Sequence, residues 1–310
     1  MQLNFRLWPV LTLAVLATFT SCKKEESKQT PSDQSTEITA HSDDQANVSD
    51  DMDAIANDVN AAVESSTDFN GGRVMRVTSI CNATAEVDTF SNPRKITITY
   101  NGVNCFGTHT RTGVVVVSMP AGTRWRDAGA ALTISFQNVN IKRLSDNKSV
   151  TINGSQTYTN VSGGLLVALP VLHTITHTVT STGMTIKFDD NSERTWQVAR
   201  QRVFTYDNGY VLTITGTHTE GNNSNIAEWG QNRFGHTFTT SITTPLVVRQ
   251  DCNFRLTAGA VKHEGFATAS ATFGLDANGN ATSCPGAGHY YMKLAWTGVG
   301  GNEHQVLLPY

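Results

Sequence analysis

The chain has no apolar run of the ~20 residues that a bilayer-spanning helix needs, no Cys-x-x-Cys pair, and no glycine-rich loop opening a helix after a strand. It also has almost no net charge, −3 over 310 residues. Each absence removes a class of protein. No transmembrane helix is expected in the mature chain, a structural zinc site lacks its usual ligand spacing, and a phosphate-binding loop has no place to form. There is no strong global field to recruit nucleic acid or an acidic membrane surface. Proline is scarce too, 8 residues against 25 glycines and 42 threonines. A threonine-rich chain punctuated by glycine favours pleated strands over helices. With 39% hydrophobic and 16% charged residues it carries enough apolar material for a core, so wholesale disorder is excluded.

The N-terminus reads as an export signal: Arg6, then the apolar stretch Leu7 to Ala17, then Thr18-Phe19-Thr20-Ser21-Cys22. The residues before Cys22 resemble a bacterial lipobox, in which a small residue precedes the cysteine that is lipidated and becomes the mature N-terminus. Ser21 and Thr20 fit that pattern, and Phe19 stands where leucine is usual. The resemblance implies a signal peptide over 1–21 and a lipid anchor on Cys22, hence attachment to the bacterial outer membrane, facing the periplasm or the cell surface. Cleavage near Ser21 without a lipid is the alternative. Lys23-Lys24-Glu25-Glu26 resembles the start of surface-displayed Bacteroidota lipoproteins, although such charges also simply solvate a tether.

Four cysteines remain, Cys81, Cys105, Cys252 and Cys284, and an even number in an exported chain suggests two disulfides. Of three possible pairings, the local one joins Cys81 to Cys105 and Cys252 to Cys284, each closing a strand-rich segment. The charge is divided unevenly. Residues 22–64 hold 3 lysines and 11 acids, a balance of −8, whereas residues 65–310 hold 19 basic and 15 acidic residues, a balance of +4.

Residues 22–50 are mostly polar and read as a disordered acidic tether. Met52, Ile55, Val59 and Val63 then recur at helical spacing, which predicts a short helix over 51–64, packed on the body or loose within the linker. The remainder, 65–310, reads as an all-β, antiparallel meander or sandwich built from hairpins. Apolar and polar residues alternate in Ile96-Thr97-Ile98-Thr99-Tyr100, Leu132 to Gln137, Met184 to Phe188, Tyr210 to Ile214, Phe234 to Phe238 and Tyr290 to Trp296. Val114 to Val117 is apolar on both faces and suggests a doubly covered strand. A shift of phase after Phe136 suggests a bulge near Asn138. Asn208-Gly209 predicts a tight hairpin, with further turns at Asn101-Gly102, Asn153-Gly154 and Asn278-Gly279. Thr151 to Thr157 echoes Thr213 to Thr219, so the body contains either two similar β-units, with a boundary near 160, or one unit whose hairpins look alike.

Cys81, Ile96 to Tyr100, Cys105 and Arg111-Thr112-Gly113, followed by Arg194-Thr195-Trp196 and Ile242 to Leu246 before Cys252, resemble an uncharacterised group of Bacteroidota lipoproteins. The likeness covers most of residues 75–300. It implies an all-β envelope protein and brings no known reaction, so it assigns no catalytic residue.

Chemical constellations are few. His173 and His177 are four apart, a zinc spacing on a helix, but on a strand they lie ~13 Å apart and do not share an ion. Asp189, Asp190 and Glu193 suit either a carboxylate pair for glycoside hydrolysis or a polar hairpin turn. His263-Glu264 lacks the second histidine of a helical zinc-protease motif. Arg124-Trp125-Arg126 and Arg194-Thr195-Trp196 are the candidate ligand-binding residues, because exposed tryptophans beside arginines stack on sugar rings; Trp229 and Trp296 are weaker members of that set. The other reading places each Trp in the core with Arg at the polar edge. These readings call for no cofactor, metal or nucleic acid. They lead to a lipid-anchored structural or interaction module whose partner is a glycan, an envelope protein or a second copy paired edge to edge, with a glycan-binding protein or glycosidase as the alternative.

Overall fold

The computed structural model describes residues 31–70, 80–284, 288–298 and 301–310. The expected signal peptide, the expected lipidation at Cys22 and the first nine residues of the expected tether lie outside them. The strands are β1 (Ala83–Asp88), β2 (Arg94–Val103), β3 (His109–Met119), β4 (Ala130–Arg143), β5 (Ser149–Asn160), β6 (Thr174–Phe188), β7 (Glu193–Tyr206) and β8 (Tyr210–Gly216). After them come β9 (His218–Glu220), β10 (Asn223–Gln231), β11 (Thr237–Arg249), β12 (Arg255–Glu264), β13 (Ala269–Leu275), β14 (Tyr291–Thr297) and β15 (Glu303–Pro309). All belong to one antiparallel sheet in which neighbours in sequence are neighbours in space. The exception is instructive. β8 and β10 share one slot between β7 and β11, since β8 covers Arg200 to Tyr206 of β7 and β10 covers Thr195 to Val198. The body is all-β, as its alternating pattern requires. It is also continuous across position 160, where Asn160 pairs with His177, so the sheet has no break between two β-units.

One long helix, α1 (Pro31–Ser65), lies against this sheet, followed by the single turn α2 (Thr67–Asn70). At 1.5 Å per residue its 35 residues span ~52 Å. The expected helix over 51–64 is its C-terminal part. The expected tether does not hold for residues 31–50, which are helical and include the buried side chains Glu37, Ile38, His41, Asp44 and Val48. Residues 38, 41, 45, 48, 52, 55, 59 and 62 are spaced alternately by three and four, the spacing of one helix face. The stripe is polar at His41 and Gln45, so apolar periodicity alone starts the helix twenty residues late.

The main core lies between α1 and the strands. Val48, Met52, Ile55, Val59, Val63 and Phe69 pack on Ile96, Ile98, Val115, Val117, Leu132, Ile134, Phe136 and Ile186. Within Val114 to Val117, Val115 and Val117 are buried while Val114 and Val116 are only half-buried, so the strand is covered fully on one face. The bulge falls where the phase shift placed it, with a register break between Phe136 and Val139 and Asn138 at φ 49°.

Turn chemistry divides. Tyr206 pairs with Tyr210 around Asp207 to Gly209, and Asn278-Gly279 also forms a turn. Asn101-Gly102 and Asn153-Gly154 instead lie inside β2 and β5. At Gly154 (φ 115°) a Cβ would sit 2.5 Å from the Gly183 carbonyl oxygen, so glycine serves a close approach of β5 to β6. Phe234 is an exposed turn residue, and its strand starts only at Thr237.

Candidate functional site

The densest chemistry lies beneath the N-terminal half of α1. On β7 the side chains of Arg194, Trp196, Val198, Arg200 and Arg202 point to one face, and all five are buried. The face is set by the strand's period of two. Across the ladder on β10, the buried Glu228 carboxylate accepts the Trp196 Nε1 hydrogen at 2.9 Å, pairs with Arg200 and lies 3.6 Å from Arg194. Gln45 of α1 closes the cluster from above, donating from Nε2 to Glu228 and accepting at Oε1 from Arg194. The Arg194 guanidinium also lies over the Phe238 ring, 4.7 Å from its centroid. Burial pulls Arg194 down to about 9 and Arg200 to about 10, since a low-dielectric surrounding disfavours the charged form.

His41 packs between Phe238 and His263 in tilted ring contacts, at centroid distances of 4.7 and 4.3 Å. Burial, with the nearby Arg194 charge, lowers His41 to about 2 and His263 to about 4, so both imidazoles are neutral at pH 7. The seam extends along the helix from Glu37 to Asp58. Glu37 accepts from Asn232 Nδ2 at 2.6 Å and from His236 Nδ1 at 2.8 Å. Asp44 receives Nε and Nη2 of Arg233 at 2.7 and 2.5 Å, a bidentate pair that opposes the upward push of burial on its carboxyl. Asp53 pairs with Arg202, and Asp58 accepts from Arg111 at 2.8 Å and Tyr100 at 2.9 Å. The opposite charges of the N-terminal segment and the body are therefore complementary halves of one contact.

The predicted site residues separate. Trp125 and Trp196 are buried, as is Arg194, whereas Arg124 and Arg126 are exposed. The expected exposed Trp/Arg face is therefore not formed. Trp125 packs on His177 at 5.1 Å, and Trp196 belongs to the main core. In each tripeptide the indole fills apolar space that the strand or turn aims inward. Trp229 is half-buried and stacks on His218 at 4.1 Å, and Trp296 stacks on His304 at 5.5 Å.

His173 is exposed and His177 buried, so the two do not converge. Asp189, Asp190 and Glu193 are exposed about the β6–β7 turn, where Asp190 accepts the Ser192 backbone hydrogen at 2.9 Å. This is the polar turn. The four cysteines form the local pairs, Cys81–Cys105 and Cys252–Cys284, with Cα separations of 5.3 and 5.1 Å. Sequence reasoning missed Glu228, Arg200, Arg202, His41 and Gln45. One signal was available: arginines at even positions 194, 200 and 202 share a strand face with Trp196 and Val198. Comparison of the chain with family models, curated proteins and solved structures gives no match.

Proposed function

We propose that this chain is a lipid-anchored envelope protein, held at the outer membrane through Cys22, that works as a structural or interaction module rather than as an enzyme. The observation that carries the reading is how its exposed aromatics are mounted. Phe106 follows disulfide-bonded Cys105 in the β2–β3 turn, and Phe254 stands two residues after disulfide-bonded Cys252 in the β11–β12 turn. Asn253 and Phe254 both hold left-handed backbone angles, φ 60° and 55°, unusual for a bulky side chain. A rigid aromatic on a stapled turn loses little entropy when it docks, which suits a contact residue. The lipobox-like sequence, the likeness to Bacteroidota lipoproteins and the two disulfides, which form in oxidising compartments, support export.

Metabolic labelling with a fatty acid tests the anchor. Label is expected on the wild type and absent from Cys22→Ala, and equal labelling of both contradicts the reading. A photo-crosslinker placed at position 106 or 254 in intact cells tests the module: discrete adducts are expected, and none at either position counts against it.

A further inference from the structure

The long connection between β5 and β6 contains Leu165-Leu166-Val167-Ala168-Leu169-Pro170-Val171-Leu172, eight consecutive residues without a polar side chain. Its base is firmly held. Leu169 is buried, and Glu64 near the end of α1 accepts the Leu166 backbone hydrogen at 2.8 Å. Its outer surface is not covered: Val167 is 42% exposed, Val171 78% and Leu172 47%. Most other exposed large apolar residues stand singly on turns, which is ordinary, whereas three on one short segment form a patch.

The Arg124-Trp125-Arg126 turn is tied to the same base. Asn160 Nδ2 donates to the carbonyls of both Trp125 and Gly164 at 2.8 Å, and the Gly164 N–H donates to the Arg126 carbonyl at 2.8 Å. Leu172 packs over Gly164, closely enough that a Cβ there would meet its Cδ1. Trp125 therefore points inward and locks the turn, while Arg124 and Arg126 point out beside the apolar finger. Neither guanidinium makes an ion pair or hydrogen bond among the described residues. Asp127, also exposed, accepts the Arg124 backbone hydrogen at 3.1 Å.

We infer that the Leu165–Leu172 finger and its flanking Arg124 and Arg126 form a contact site for an anionic phospholipid bilayer. Valine, proline and leucine side chains enter the interfacial zone, and guanidinium groups at the base meet lipid phosphates, which they bind in bidentate fashion. The near-zero net charge of the chain is no obstacle, because the attraction is local and acts within a Debye length. The finger lies by the C-terminal end of α1, ~52 Å of helix from the end that leads to Cys22. Lipid and finger are thus two separate points of attachment, and contact at both would lay the helix along the bilayer. The envelope placement proposed above gives this site its setting, and unlipidated protein tests it alone.

The chain from residue 22 onward, carrying Cys22→Ser, is to be sedimented with vesicles of equimolar phosphatidylcholine and phosphatidylglycerol, or of phosphatidylcholine alone. Binding is expected only to the anionic vesicles and weakens with salt. Arg124→Gln with Arg126→Gln lowers the affinity about 30-fold, equivalent to ~1 kcal/mol per arginine. Val171→Ser with Leu172→Ser lowers it at least about tenfold through lost apolar burial. All four positions are exposed, and an unchanged melting temperature verifies the fold. Absence of binding at low salt, or equal binding by either double variant, overturns the inference. So does a change in solution size of Val171→Ser/Leu172→Ser without a change in vesicle affinity, which would assign the patch to self-association. None of these results bears on acylation of Cys22, so the anchor and the finger fail separately.

Discussion

The two halves of α1 dock on the same sheet by different means, the first mainly through buried polar groups and the second through a buried apolar face edged by the half-buried Asp53 and Asp58. From Met52 to Val63 the buried face is apolar, and Ile55, Val59 and Val63 meet a core of valine, isoleucine and phenylalanine. From Glu37 to Asp44 the buried side chains are mostly polar, and His41, Asp44 and Gln45 meet arginine, glutamate and histidine. The apolar half gains from removing surface from water and tolerates small shifts. The polar half has to match donor to acceptor, because every unpaired buried group costs its desolvation. A helix can therefore be secured over a segment whose composition reads as a tether, provided that the sheet supplies the opposite charges.

The comparison is broken most severely at Glu228. Removing it in Glu228→Ala leaves Arg194 and Arg200 buried without their carboxylate, which is expected to cost about 3–5 kcal/mol in urea denaturation. A loss below 1 kcal/mol would show that the Glu228 carboxylate is not what holds the two buried guanidinium groups. In the other half, Ile55→Ala empties part of the core and is expected to cost about 3 kcal/mol, with no change in the pH dependence of stability.

Acid sharpens the contrast. His41 and His263 are held neutral by burial, at about 2 and about 4, whereas the unfolded chain takes up protons below ~6.5. Proton uptake thus favours the unfolded state. The contribution of these histidines is fully present above pH 6.5 and falls by on the order of 1 kcal/mol per histidine for each pH unit below it, down toward pH 4 for His263 and lower still for His41. His177, buried beside Trp125 and lowered to about 4, adds a third such contribution outside the seam. Replacing His41→Phe is expected to flatten the pH profile of the urea midpoint, and an unchanged slope contradicts its neutral burial. At the small end, Asp43→Asn removes a 4.0 Å pair with Lys148 in which both side chains are exposed, so a change below about 0.5 kcal/mol is expected.

Much of this fold was legible because local chemistry and tertiary structure agree. Alternation in Ile96 to Tyr100 and Leu132 to Gln137 reports one buried face. The phase shift at Asn138 reports the bulge, and cysteine spacing reports both disulfides. Legibility failed where a residue's partner is remote in sequence. His41 and Gln45 interrupt the apolar stripe of α1, and their burial is explained only by Arg194, Glu228 and His263, some 150 to 220 residues further on. Trp125 and Trp196 failed for another reason. A tryptophan beside arginine looks the same in sequence whether the strand or turn aims the indole into the core or out of it. Gly102 and Gly154 follow asparagine as turn glycines do, yet they serve strands.

Residue-resolved hydrogen exchange of the α1 amides tests the docking of residues 31–50 most directly. The account predicts slow exchange from about Ile38 through Ser65 in the wild type, with Glu228→Ala releasing protection over residues 38–50 while 51–65 remain protected. Rapid exchange of residues 38–50 in the wild type, at the rate of an undocked chain, would contradict it.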